Sequence, residues 1–239
     1  MFSMLFSIIA KKCRMQLVAT NDGSHTLYLP DLDEHYHSIY GAITESLHVF
    51  IKAGMETMAY RPKLTILEVG FGTGLNVLLS CVSAIEHEVE VTYHALEKYP
   101  LDRELVGKLN YATMLSTFSE SGKLFEKIHA SPWNATVMLH PVFCLHKILG
   151  DATTFIPGFN YDLIYYDAFA PDKQPEMWTP DIFIRLFHNL NPDGMLTTYC
   201  AKGSVKRMLR SAGFCVARLP GPPGKREMLR GVKKICFEC

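Results

Sequence analysis

The rhythm of apolar and polar positions changes near residue 62. Before it, Asn21-Asp22-Gly23 leads into the alternating Thr26-Leu27-Tyr28-Leu29, a turn and short strand of hairpin type. A polar and aromatic segment follows from Tyr36 to Gly41. A helical pattern then begins at Thr44, reaches about Met58 and is stopped before Pro62. Beyond Pro62 the chain repeats strand, glycine turn, helix: Leu64 to Val69 is a short apolar run, and Leu75 to Ala84 has helical length and spacing. Further strands are predicted at Val89 to Leu96 ending on Glu97, at Thr136 to His140, at Tyr161 to Tyr166 ending on Asp167, and at Met195 to Tyr199. Helices are predicted at Leu101 to Asn110, Ala112 to Glu120, Pro180 to Asn189 and Val205 to Ser211. Phe214 to Leu219 and Met228 to Lys234, joined by Gly221-Pro222-Pro223-Gly224, read as an antiparallel pair at a sheet edge.

Strands alternating with helices predict an α/β protein. Its parallel sheet is covered on both faces, with ligands at the carboxyl ends of the strands where their order reverses. The division that follows is residues 1–61, an extension of hairpin and helix packed on the core, and residues 62–239, the main domain. A hydrophobic content of 48% over 239 residues suffices for such a core. Twenty-four basic residues balance 24 acidic ones and only 20% of the chain is charged, which excludes global disorder and a uniformly basic surface.

Seven cysteines, an odd and scattered set, argue against a disulfide framework and for a reducing cytoplasm. Cys236 and Cys239 form the only close pair; with no second half-site, and with His35 and His37 far away in sequence, no metal site is expected. The apolar stretch Met1 to Ala10 is shorter than the roughly 20 residues of a bilayer span. It is followed, not preceded, by Lys11, Lys12 and Arg14, the reverse of a secretory signal. The first 14 residues read either as an ordinary terminal element or as an extension ahead of a start at Met15.

The chemistry concentrates after the first buried strand, in Glu68-Val69-Gly70-Phe71-Gly72-Thr73-Gly74-Leu75-Asn76. Glycines at a strand-to-helix turn permit positive φ and close backbone approach to a ligand, and the free amides there favour an electron-rich group. The spacing is neither the dinucleotide fingerprint nor a P-loop. An acid ahead of the glycines, Glu68, suits the amino group of an amino-acid-bearing cofactor such as S-adenosylmethionine and would repel a pyrophosphate. A purely structural tight turn is the alternative. Three more acids fall at predicted strand ends. Glu97 can accept hydrogen bonds from ribose hydroxyls, Asp151 from an adenine amino group, and Asp167 heads Asp167-Ala168-Phe169-Ala170-Pro171. Each alone reads equally as a cap or a loop charge; their common register with the glycine loop joins them, with Lys98 and Ala152 as neighbours on the same cofactor.

Asp167 to Trp178 carries a carboxylate, aromatic rings and stiff prolines. A methyl-accepting amine must be neutral and in line with its donor, so Asp167 is the candidate catalytic residue, by orienting the amine or by removing its proton. Phe169, Pro171 and Trp178 are candidate substrate contacts, with core packing the alternative for both rings. From Lys202 to Lys234 ten basic residues stand against Glu227 alone, so this stretch is near +9. Lys202, Lys225 and Arg226 are the candidate contacts to a phosphate backbone, against the alternative of a solvated face.

Together these residues resemble the methyltransferase domain of the MnmC family, the tRNA 5-methylaminomethyl-2-thiouridine biosynthesis proteins. The resemblance runs from about Asp22 onward through Tyr36-His37-Ser38, Gly41, Glu45-Ser46 and Val49-Phe50. It continues through Gly70 to Asn76, Glu97-Lys98-Tyr99-Pro100, Gly150-Asp151, Asp167 to Pro171, Pro175 to Trp178, and Lys225-Arg226-Glu227-Met228. It implies a Rossmann-like class I S-adenosylmethionine-dependent methyltransferase fold, with cofactor contacts at Gly70, Gly72, Gly74, Asn76, Glu97 and Asp151 and an acceptor site around Asp167, Phe169 and Pro171. The implied reaction methylates the 5-aminomethyl group of the wobble uridine of tRNA. Bifunctional relatives add an FAD-dependent domain; the sequence given ends at Cys239, so no flavin and an aminomethyl substrate made by other enzymes are expected. Position 168 is Ala where many relatives carry Gly. The competing readings are a methyltransferase for a small molecule or protein on the same fold, and a tRNA-binding module without turnover.

Overall fold

The computed structural model describes residues 15–234. The apolar N-terminal stretch, Cys13 and the Cys236/Cys239 pair lie outside the described residues. Strands β1 (Gln16–Ala19), β2 (His25–Leu29) and β3 (Glu34–His35) form a small antiparallel sheet, with the Asn21-Asp22-Gly23 turn between the first two. Asp22 holds this corner against the next element. It accepts hydrogen bonds from Ser24 N (3.0 Å) and Thr44 N (2.9 Å), and from the hydroxyls of Thr20, Ser24 and Thr44. The helix predicted from Thr44 is α1 (Ala42–Ser46) continued as wide π turns at Leu47–Lys52, closed by Ala53 N donating to His48 O, and a 3-10 turn follows at Met55–Met58.

The main sheet contains β4 (Lys63–Val69), β5 (Glu90–Glu97), β6 (Ala135–His140), β7 (Phe143–Leu149), β8 (Tyr161–Tyr166), β9 (Leu190–Thr198), β10 (Cys215–Pro220) and β11 (Glu227–Val232). Its order is β10-β11-β9-β8-β4-β5-β7-β6. The run β9-β8-β4-β5-β7 is parallel; β6 and the β10–β11 pair meet their neighbours antiparallel. From β4 the chain moves to β5 on one side and later to β8 on the other, so the order reverses at β4, the position where open α/β sheets bind ligands.

Period-two alternation in these doubly covered strands sends Ile66, Leu163, Tyr165 and Met195 to one face and Leu67, Ile164, Tyr166 and Leu196 to the other. The first face is covered by α2 (Leu75–Glu86) and by Val49, Phe50 and Met55 of the N-terminal segment, and the second by α6 (Pro180–His188) and α7 (Gly203–Ser211). Three details differ from the sequence reading. The helix expected over 101–110 contracts to α3 (Arg103–Val106). That over 112–120 contracts to α4 (Tyr111–Met114), and the substantial helix is α5 (Ser121–Ala130), whose Ser-Gly start reads as a loop. Strand β7 has no counterpart in the reading because Lys147, fully buried in the middle of it, breaks the apolar alternation. No helix of the described residues is long and apolar enough to cross a membrane.

Candidate functional site

A cavity of about 630 Å³ opens over the carboxyl ends of β4, β5 and β8, within the range of small-molecule sites. Its floor is the glycine loop. Gly70 N donates to Leu96 O (3.0 Å) and Asp167 N to Val69 O (3.0 Å), so the loop is held between the ends of the flanking strands. Gly70 has φ +98°, and a Cβ there would lie 2.5 Å from Asp167 O; only glycine lets these two chain segments meet. Gly72 N donates to Glu97 Oε2 at 3.0 Å, and Glu97 Oε1 accepts from Tyr99 N at 2.8 Å. Thr73 and Asn76 also line the cavity.

At the far side Lys98 pairs with Asp151 at 2.7 Å, and Asp151 also accepts from Thr153 N (2.9 Å) and its hydroxyl (2.7 Å). Burial opposes the Asp151 charge, but these bonds hold its carboxyl below the ordinary value. Ala152 completes that wall.

Asp167 ends β8 and faces the cavity. Asn76 bridges inward: its side-chain amide donates to Asp167 Oδ2 and to Glu68 Oε1, each at 2.9 Å. Burial, and then the Glu45 charge, push the Asp167 carboxyl up to about 7, against the opposing Asn76 bond and Lys225 charge. Phe169 lines the cavity with its ring edge-on to Tyr36, centroids 5.1 Å apart.

Several expected residues sit elsewhere. Glu68 does not line the cavity; it is fully buried under α2 beside Tyr93, where burial raises its pKa well above the ordinary value. Asn76 links it to Asp167. Gly74 is absent from the wall and starts α2 in a left-handed turn (φ +74°), packed under His129. Trp178 is core: its Nε1 donates to Phe169 O at 2.7 Å and its ring packs on Tyr166 and Phe183, so it braces Phe169 from behind. Pro171 lies on the loop outside the wall, between the lining residues Phe169 and Lys173.

The donor set fits a cationic, hydroxyl-bearing ligand. The walls carry the carboxylates of Glu97, Asp151, Asp167 and Glu45. Among the described residues Asn76 Oδ1 is a buried acceptor with no hydrogen-bond donor. Residues 136–234 match a family model described as S-adenosyl-L-methionine-dependent methyltransferase. A bifunctional tRNA 5-methylaminomethyl-2-thiouridine biosynthesis protein MnmC from Burkholderia pseudomallei (strain K96243) is 31% identical over 233 residues, an alignment covering 90% of this chain and 35% of that protein. The crystal structure of MnmC2 from Aquifex aeolicus superposes with a TM-score of 0.76 at 26% identity, over 98% of this chain and 78% of that one. The chain has the fold of the S-adenosyl-L-methionine-dependent methyltransferases. It is similar to the methyltransferase part of MnmC, and it spans about a third of the length of the curated relatives it matches. The spermidine synthase of Thermotoga maritima (TM-score 0.53, 13% identity, 89% of this chain and 69% of that one) shares the fold alone.

The basic C-terminal stretch divides its labour. Lys225 turns inward: it pairs with Glu45 and stands 3.9 Å over the Tyr199 ring on the cavity wall, instead of on an outer face. Lys202 pairs with Asp172, Arg218 with Glu227 at 3.0 Å, and Lys233 donates to the carbonyls of His188 and Leu190. Arg226 is exposed beside Arg218. On α7, partial desolvation and the neighbouring Arg210 and Arg218 charges lower the Lys206 ammonium, the mark of cations crowded together.

The reading of single residues had no role for Glu45, His37 or Tyr199. Glu45 carries a signal, an acid inside the apolar helical run Ile43 to Ile51, whereas Tyr199 at the end of β9 has none.

Proposed function

We propose that this protein is a methyltransferase that methylates the 5-aminomethyl group of the wobble uridine in tRNA, giving the 5-methylaminomethyl (or 2-thio) nucleoside, in the cytoplasm. The observation that carries the reading is Asp167: a cavity-facing carboxyl with its charge disfavoured, adjoining the glycine loop, in a chain similar to the methyltransferase part of MnmC.

Cofactor roles follow the chemistry of the wall. Backbone at Gly70, Gly72 and Thr73 forms the floor, Glu97 accepts from ribose hydroxyls, Asp151 and Ala152 border the adenine with Lys98 holding Asp151, and Asn76 Oδ1 accepts from the ammonium group. When bound, S-adenosylmethionine supplies a methyl group on a positively charged sulfur. Asp167 then acts on the acceptor. With Oδ2 engaged by Asn76, Oδ1 is left to accept the N–H of the aminomethyl group and fix its lone pair toward the donor. A carboxyl near 7 is also a far better proton acceptor for an ammonium than an ordinary Asp, so Asp167 takes the proton that must leave the amine. Phe169, edge-on to Tyr36, supplies an aromatic face for the base. The exposed cations of α7 and Arg226 attract the tRNA backbone.

The test is transfer of labelled methyl from S-adenosylmethionine to tRNA bearing 5-aminomethyluridine, read by nucleoside analysis, with unmodified tRNA as control. Labelled 5-methylaminomethyl nucleoside supports the reading. Transfer to a small molecule or protein but never to this tRNA overturns it.

A further inference from the structure

Glu45, Lys225 and Tyr199 come from three parts of the chain and meet on one wall of the cavity. Glu45 lies on α1 and is almost fully buried; its Oε2 accepts from Ser38 N at 2.7 Å and its Oε1 accepts from the Lys225 ammonium. Lys225 follows the Gly221-Pro222-Pro223-Gly224 turn before β11, and the π face of Tyr199 beneath it provides a second stabilising contact. The Tyr199 hydroxyl donates to Ala168 O at 2.8 Å, which ties the cluster to the residue following Asp167. A half-buried lysine, held by a carboxylate, a ring face and a short turn, is poorly placed to reach a phosphate backbone.

The groups bearing on Asp167 from its surroundings are Glu45 on α1, Glu68 on β4, Asn76 on α2, Tyr199 after β9 and Lys225 in the hairpin turn. Glu68 is buried and held toward its neutral form, and Asn76 is uncharged. Glu45 and Lys225 are therefore the pair whose formal charges oppose each other beside it. We propose that Lys225 and Glu45 are positioning residues for methyl transfer: the lysine neutralises the Glu45 carboxylate so that Asp167 can remain ionised and receive the acceptor amine. Their opposite effects on Asp167, upward from Glu45 and downward from Lys225, agree in sign with this arrangement. The inference rests on the reading that Asp167 meets an amine.

The experiment follows the Asp167 carboxyl by carbon-13 NMR in the full chain without tRNA, alongside the pH profile of kcat with 5-aminomethyl tRNA. Lys225→Met keeps an apolar stem over Tyr199 and should raise the Asp167 midpoint by about one pH unit. Glu45→Gln retains an acceptor for Ser38 N and should lower the midpoint. The double variant should lie below Lys225→Met, and Lys225→Arg should sit at the wild-type midpoint. The acid limb of kcat should move in parallel. Melting curves identify any variant that fails to fold. Unchanged midpoints in both folded single variants, or shifts of the same sign, overturn the proposal. NMR shifts of the expected signs without transfer to any tRNA leave the charge coupling standing and defeat the acceptor reading instead.

Discussion

Replacing Asp167 with Asn exchanges a carboxyl for an amide of nearly the same shape that can still accept from Asn76. In the wild-type fold the carboxyl is held at about 7 against an ordinary 3.8, so the native state resists its ionisation. The sign follows from linkage: a raised acid weakens the fold when charged, so the penalty is absent below about pH 4 and complete above about pH 7. At about 1.4 kcal/mol per pH unit, the rise corresponds to an upper bound of about 4 kcal/mol, which solvent at the cavity mouth reduces to roughly 2. Urea unfolding at pH 8 should find Asp167→Asn more stable than wild type by about 2 kcal/mol, and the gap should close near pH 4. In the same preparation methyl transfer should fall by at least about 100-fold, with S-adenosylmethionine affinity within a few-fold of wild type. A variant that is less stable at pH 8, or whose stability gap ignores pH, would show that the carboxyl is not held against ionisation.

Gly70→Ala should abolish retention of S-adenosylmethionine in equilibrium dialysis, because its Cβ would lie 2.5 Å from Asp167 O at a positive φ; full retention would mean that the loop can yield. Asp22 is held at about 2, burial opposing and the bonds from Ser24 and Thr44 prevailing, so its contribution exists above about pH 4 and disappears as pH falls toward 2. Asp22→Ala should therefore cost about 1 kcal/mol at neutral pH once solvent screening of this partly exposed carboxylate is allowed for, measured by denaturant unfolding, and progressively less in acid. Trp178→Ala should destabilise by about 3 to 5 kcal/mol and lower activity only through the loss of support for Phe169; an intact melting temperature with lost activity would favour direct substrate contact. Combined Lys206→Ala and Arg210→Ala should weaken tRNA binding and flatten the slope of log K against log salt by about one to two, with binding unchanged at every salt as the contrary result.

The parallel core was legible because buried strands and glycine turns write their own periods. Leu64 to Val69, Tyr161 to Tyr166 and the closing Phe214 to Lys234 pair all form the expected strands, and Glu97 and Asp167 stand at strand ends as read. Lys147 hid β7, since a buried lysine among aromatic rings looks like an exposed strand position. Charge was the least legible quantity. Lys225 counts as +1 in any linear sum, yet its direction depends on Glu45, 180 residues away in sequence. The place of Glu68 was hidden for a related reason: it stands two residues ahead of Gly70, one step of strand alternation from the cavity-lining Val69, so its carboxyl enters the core.

At and beside the cavity wall, the early segment of the described chain meets its closing hairpin. Tyr40 packs against Gly224, His48 Nε2 lies 2.8 Å from Pro220 O, and Arg230 donates to Ala53 O at 3.3 Å. Contacts of such long sequence separation form late, after the intervening loop has closed. A chain emerging from the ribosome would thus carry a finished glycine floor without this wall. Competence to hold a substrate would arrive in one step, when the final hairpin docks.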